Sequence, residues 1–228
     1  MESRLLRKTF DLSGLSPLTS GTRRQVYMLD DVSPPLVLKV IDLEYEIARL
    51  SPAKRFIRKW MPLSHHRMMI REASHQGRVA IKAGPCAPKI PLPQFRGLVQ
   101  TSRGPGAVWE ALTADNGTLA PTLSEEITRL GSVETFLPQI NRLLEQILAF
   151  GILVLDFHPG NVVVSGWEDG PELVLIDGFG RQHLVPIREV FPRLGRKRLF
   201  AQCEIFARKT GCKWDPVARK FVGKASSG

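Results

Sequence analysis

An aspartate stands five residues ahead of an asparagine in Asp156-Phe157-His158-Pro159-Gly160-Asn161, and a second aspartate opens the glycine-rich run Asp177-Gly178-Phe179-Gly180. Residue types in this order suit the transfer of a phosphoryl group. Moving a γ-phosphoryl requires a divalent cation to neutralise the phosphate oxygens, and hard Mg²⁺ takes carboxylate and amide oxygens while keeping some water. Asn161 and Asp177 are therefore the candidate metal ligands. Asp156 is the candidate catalytic group, placed to accept or orient the proton of an incoming hydroxyl. Singly, Asp and Asn beside strands are ordinary turn formers. The ordered pair with apolar strands between them points to kinase-type chemistry with ATP and Mg²⁺ as cofactors.

Such a site needs elements to hold it. Val162-Val163-Val164 and Leu173-Val174-Leu175-Ile176 read as short buried strands joined by a turn between Ser165 and Pro171. A hairpin of this kind sets Asn161 beside Asp177. Upstream, residues 132 to 150 carry Val133, Phe136, Leu137, Ile140, Leu143, Leu144, Ile147 and Leu148 at helical spacing, with Ser132 to cap the start and Gly151 to end it. That helix would support the loop beginning at Asp156.

The nucleotide half is sought nearer the start. Lys39 lies inside the apolar run Leu36-Val37-Leu38-Lys39-Val40-Ile41 and is the candidate phosphate-binding lysine, with Val37 placed to cover an adenine face. The preceding segment, Leu18 to Tyr27, reads as a strand-turn-strand lid in which Gly21 and Val26 are candidate nucleotide contacts. Residues 64 to 80 read as a helix, and Glu72 near its middle is the candidate partner for the lysine, with Glu44 and Glu46 as rivals. Gly106 to Thr113 reads as a strand running into the turn Asp115-Asn116-Gly117, where Glu110 and Leu112 would offer main-chain groups to adenine.

Several of these segments carry a resemblance. Gly21-Thr22-Arg23-Arg24 with Val26-Tyr27, Leu38-Lys39-Val40, Asp115-Asn116-Gly117 and Val174-Leu175-Ile176-Asp177-Gly178-Phe179-Gly180 resemble the small bacterial YrbL family of the PhoP regulatory network. The resemblance implies a protein-kinase-like fold and residence in the cytoplasm. The loop Asp156 to Asn161 is also similar to that of aminoglycoside, choline and related small-molecule kinases, which read Asp-x-His-x-x-Asn. The expected fold class is α+β, compact and bilobal, with a small β-rich N-lobe and a reduced, mostly helical C-lobe. Residues 1–228 form one kinase-like domain in this reading, with N-lobe and hinge over about 1–112, C-lobe over about 113–222 and a tail at 223–228.

Composition narrows the partners. With 228 residues, 43% of them hydrophobic, the chain can bury a full core. Its longest apolar run, Ile147 to Leu155, is much shorter than the ~20 residues of a membrane span, and Met1-Glu2-Ser3-Arg4 lacks a signal-type apolar stretch. Cys86, Cys203 and Cys212 show no metal-site spacing and are expected to be reduced, Cys203 as a small core or helix residue. The net charge of +10 concentrates at Lys54-Arg55-Arg58-Lys59 and at Arg193, Arg196, Lys197, Arg198, Arg208, Lys209 and Lys213. Such charge suits a phosphorylated substrate or an anionic membrane face. Nucleic acid fits less well, because no aromatic stacking motif interleaves with the charge.

Phe191 to Ala207 reads as a basic amphipathic helix lying on anionic lipid at the inner membrane face. Few residues follow Asp177, which favours a small acceptor, an anionic sugar or a lipid-linked saccharide, over a peptide. The expected activity is thus transfer from ATP to a hydroxyl of such an acceptor. Two alternatives stand beside it: a compact Ser/Thr protein kinase, and a pseudokinase-like nucleotide-binding regulator, for which the single lid glycine and the Asp-Gly-Phe-Gly order speak.

Overall fold

The structure, a computed structural model, describes residues 9–20, 24–29, 33–42, 47–48, 51, 66–114, 116–167, 170–180 and 192–223. Gly21, Glu44, Glu46, Asp115, the basic run Lys54 to Lys59 and the tail from 224 lie outside the described residues. The chain divides into two units, Met1–Ala73 with Gln94–Ala111 and Ser74–Pro93 with Leu112–Gly228.

The first unit is a five-stranded antiparallel sheet of β1 (Thr19–Ser20), β2 (Arg24–Leu29), β3 (Leu36–Ile41), β4 (Phe95–Thr101) and β5 (Gly104–Glu110), in the order β1-β2-β3-β5-β4. Alternation along the strands separates two faces. Tyr27 and Leu29 of β2, Leu36, Leu38 and Val40 of β3, Val99 of β4 and Val108 of β5 form a buried cluster with Leu12. The register Val26↔Lys39, Lys39↔Ala107 and Val37↔Trp109 puts Val26, Val37, Lys39, Ala107 and Trp109 together on the opposite face. Both faces of β3 are largely covered, Val37 and Ile41 being buried like Leu36, Leu38 and Val40, and Lys39 alone in the strand keeps partial exposure.

Helix α1 (Arg67–Ala83) ends three residues later than the expected 80, and the expected start at 64 lies outside the described residues. Its first turns, with Glu72, belong to the first unit; from Ser74 onward it belongs to the second. The first unit ends at Ala111, and Ser74–Pro93 groups with the second unit. The reason is local: the Leu153 N–H donates to His75 Nε2 at 3.0 Å, and the Leu175 N–H donates to the Pro91 carbonyl at 3.0 Å.

The second unit contains α2 (Leu123–Leu130), α3 (Leu137–Phe150), the antiparallel hairpin of β6 (Val162–Trp167) and β7 (Gly170–Leu175), α4 (Pro192–Thr210), and a terminal hairpin of β8 (Lys213–Asp215) and β9 (Lys220–Val222). The expected helix 132–150 is resolved into a 3₁₀ turn at Glu134–Phe136 and then α3. Ser132 precedes the turn, whose cap position is Val133, and its hydroxyl accepts from the Glu134 N–H at 3.1 Å. Ile140, Leu143, Leu144 and Ile147 are buried as anticipated, and Gly151 ends α3 in the left-handed conformation with φ 68°.

Helix α4 corrects an expectation. Leu199, Cys203, Phe206 and Ala207 are buried inside the unit, and Phe206 stacks on Phe157 with centroids 4.5 Å apart. The apolar face expected to lie on lipid is consumed by the unit's own core, while Arg196, Lys197, Arg208 and Lys209 remain exposed. Burial pushes the Cys203 thiol up to about 12, consistent with an inert core residue. Asn141 of α3 anchors β9, donating to the Phe221 carbonyl at 2.9 Å and accepting from its N–H at 2.7 Å. Together these elements make an α+β fold in the order anticipated from the sequence: a β-rich part carrying the lysine strand, then a mainly helical part carrying the loop and hairpin. Among the described residues, no helix is long and apolar enough to cross a membrane.

Candidate active site

In the second unit the loop after α3 closes on the end of β7. The Leu155 and Asp156 N–H groups donate to the Gly178 carbonyl at 2.6 and 3.0 Å, and the Ile176 N–H donates to the Asn161 carbonyl at 2.8 Å. Asp177 is held between these two anchors, so the three candidate residues Asp156, Asn161 and Asp177 are brought together. The Asn161 side-chain Nδ2 donates to the Asp156 carbonyl at 3.1 Å and to its Oδ2 at 3.3 Å. That pairing fixes the amide, with its nitrogen turned to Asp156 and its Oδ1 presented away from it. The Asp177 Oδ1 accepts from the Gly178 N–H at 2.6 Å.

Gly178 explains why glycine follows the aspartate directly. Its φ is 73°, and a Cβ there would collide with the Asp156 carbonyl oxygen and sit 3.0 Å from Asn161 Nδ2. Neither backbone nor space admits a side chain. The aromatic residue comes one position later: Phe179 is buried, bridges Val154 and lies 6.4 Å from the His75 ring.

The loop is supported from below. Phe157 is fully buried against Phe206 and Phe221, its N–H donates to Gln202 Oε1 at 3.3 Å, and Arg198 Nη2 donates to the Leu155 carbonyl at 3.4 Å. His158 Nδ1 accepts from the Gly160 N–H at 2.9 Å. Burial and the charge of Lys209 hold the imidazole below its ordinary value, against a smaller opposing effect of Asp156.

In the first unit, Lys39 lies in a cluster with Arg24, Ile41, Met69, Glu72, Ala107 and Trp109, its Nζ 5.6 Å from the Trp109 ring centroid. Glu72 is buried and grips Arg24 in a bidentate pair, Nη1 to Oε2 at 2.8 Å and Nη2 to Oε1 at 2.6 Å. Lys39 and Glu72 are thus brought into one cluster, and Arg24 is the member that sequence reading overlooked. Val26 and Val37 share the Lys39 face. At the strand end, the Glu110 N–H donates to the Gln94 carbonyl at 2.9 Å, and the Leu112 carbonyl accepts from the Ala120 N–H at 2.8 Å. One main-chain group of each expected adenine-binding residue is therefore already engaged by the protein.

The donor set fits Mg²⁺. One carboxylate, on Asp177, and one oriented amide oxygen, on Asn161, supply hard oxygen ligands of the kind that leave positions for phosphate and water. No cluster of three or more His, Cys, Asp or Glu suited to a metal exists among the described residues, and a phosphate-bridging Mg²⁺ does not require one.

These features define a class: an α+β protein with a strand lysine beside a helical glutamate, and an Asp, Asn and Asp constellation on a loop and hairpin. The chain belongs to the family described as PhoP regulatory network protein YrbL, which matches residues 10–211. No curated protein matches it. Among solved structures it is similar to the Mycobacterium tuberculosis PknI kinase domain in two variant forms. The first shares 16% identity over 86% of this chain and 75% of that one, with TM-score 0.43. The second shares 14% over 73% and 58%, with TM-score 0.37.

Proposed function

We propose that the protein is an ATP-dependent phosphotransferase acting on a hydroxyl acceptor. The observation that carries this reading is the joining of Asp156, Asn161 and Asp177 through Gly178 and the Asn161 amide. Bound Mg²⁺ would neutralise the phosphate oxygens. Asn161 and Asp177 would hold it, Asp156 would orient the acceptor hydroxyl, and Lys39 would bind phosphate. Asn161's donation to Asp156 keeps that carboxylate as an acceptor pointed by a fixed partner.

The acceptor in this proposal is an anionic sugar or lipid-linked saccharide. Lys209 acts electrostatically on His158, two residues from Asp156, so positive charge reaches the loop itself. The protein is proposed to work in the cytoplasm, meeting an anionic membrane face through exposed charge on α4 rather than by insertion.

A second reading, a nucleotide-binding regulator without turnover, is favoured by the order Asp177-Gly178-Phe179-Gly180, which sets the aromatic residue one position later than Asp-Phe-Gly. A γ-labelled ATP screen on cell extract, divided into small-molecule, lipid and protein fractions, separates the readings. Label in the small-molecule or lipid fraction supports the proposal. Label confined to discrete protein bands makes the chain a compact protein kinase, and no transfer despite ATP binding makes it a regulator.

A further inference from the structure

The second unit contains a half-open groove of about 410 Å³ away from the residues assigned above. It is built by three helical faces. The late turns of α1 contribute Arg78, Val79 and Lys82, the end of α3 and its following turn contribute Ile147 and Ile152, and α4 contributes Arg196 and Leu199. The spacing explains the amphipathic lining: Val79, four residues after His75, points inward, while Arg78 and Lys82 are exposed on the rim. Val79, Ile147, Ile152 and Leu199 are buried and make an apolar floor.

Among the described lining residues the charged side chains are of one sign. Arg78, Lys82 and Arg196 bring three positive charges, and the described lining residues include no aspartate or glutamate. A cleft lined by one sign of charge focuses potential on the opposite sign. The carbonyl end of α3 also reaches this groove and would favour a cation; Lys82 answers it, its Nζ 3.5 Å from where a Cβ on Gly151 would stand. Its volume lies within the range of small-molecule sites, which combine apolar walls with a few oriented polar groups.

We propose that this groove binds an amphiphilic organic anion, a carboxylate or phosphate head group at Arg78, Lys82 and Arg196 with its apolar body on Val79, Ile147, Ile152 and Leu199. The inference does not depend on phosphoryl transfer. It does place the ligand against Leu153, whose N–H is held by His75 and whose carbonyl accepts from the Gly180 N–H at 2.8 Å. A bound anion therefore stiffens the segment that leads into Asp156.

The test uses the full chain and four probes at concentrations below micelle formation: octanoate, octyl phosphate, octanol and inorganic phosphate, titrated calorimetrically. Octanoate or octyl phosphate should bind with one-to-one stoichiometry, at least about tenfold tighter than octanol and than inorganic phosphate. Binding of either anion supports the proposal, and the tighter one names the head group. K82Q/R196Q, which alters only exposed side chains, should weaken both anions about tenfold and leave octanol unchanged. Amide exchange at Ile152 and Leu153 should slow when the anion is bound. The proposal is overturned by no anion binding to the wild type, by octanol or inorganic phosphate binding as tightly as the amphiphiles, by undiminished binding to K82Q/R196Q, or by binding that leaves the Ile152 and Leu153 amides unaffected.

Discussion

His158 shows how the loop is tuned residue by residue. Its Nδ1 must be unprotonated to accept the Gly160 N–H, and burial and Lys209 favour that form. Between the depressed folded value and the ordinary value of about 6.5 the unfolded chain binds more protons, so this contribution is complete above that pH and is lost as pH falls below it. His158→Asn retains an acceptor for Gly160 but does not titrate. Urea midpoints should therefore decline less from pH 7 to 5 in the variant than in the wild type; parallel declines would remove His158 from the account. Asp177 gives a second prediction at this scale. A neutral amide supplies less charge to a cation, so Asp177→Asn should abolish the Mg²⁺-dependent part of ATP-induced thermal stabilisation while the Mg²⁺-independent part persists. An unchanged Mg²⁺ increment would show that Asp177 is no ligand.

Among elements, the junction of the catalytic loop with the β7 end is the tightest. Gly178→Ala combines an unfavourable φ of 73° with a Cβ pressed on the Asp156 carbonyl and should cost about 3 kcal/mol or more. Gly131→Ala is the control: its φ is 71° but a Cβ there would meet nothing within 4 Å, so about 1 kcal/mol is expected. Equal destabilisation in denaturant titrations would mean that the close approach at Gly178 is unimportant.

What was legible follows the range of the interactions. Asp156, Asn161 and Asp177 were readable because short spacings and one hairpin bring them together. The β3 strand was readable as a short apolar run, and the buried face of α3 from its helical spacing. The Arg24 and Glu72 pair joins residues 48 apart in sequence and leaves no local trace. Strand β9 depends on Asn141, 80 residues away. Helix α2 was missed although its signal was local, a capping box in which Thr122 and Glu125 satisfy each other's backbone N–H groups. The face of α4 was misassigned because an apolar stripe shows that something covers it, and not whether that cover is lipid or Phe157 and Phe221.

For the whole molecule, the net charge of +10 and the exposed residues of α4 predict salt-sensitive use of an anionic acceptor. Screening acts over about 8 Å at physiological ionic strength, so added salt should lower transfer to the acceptor fraction, and Lys209→Glu should lower it further without changing ATP affinity. Salt-independent labelling would argue for an uncharged acceptor. The central claim, that this molecule transfers phosphoryl groups, is tested most directly by the rate of γ-phosphate loss from ATP in the wild type and Asp156→Ala at matched, saturating nucleotide. The account predicts measurable turnover that falls by roughly a hundredfold to ten-thousandfold in the variant, with ATP affinity nearly unchanged; equal rates in the two proteins, or ATP binding with no turnover in the wild type, would contradict it.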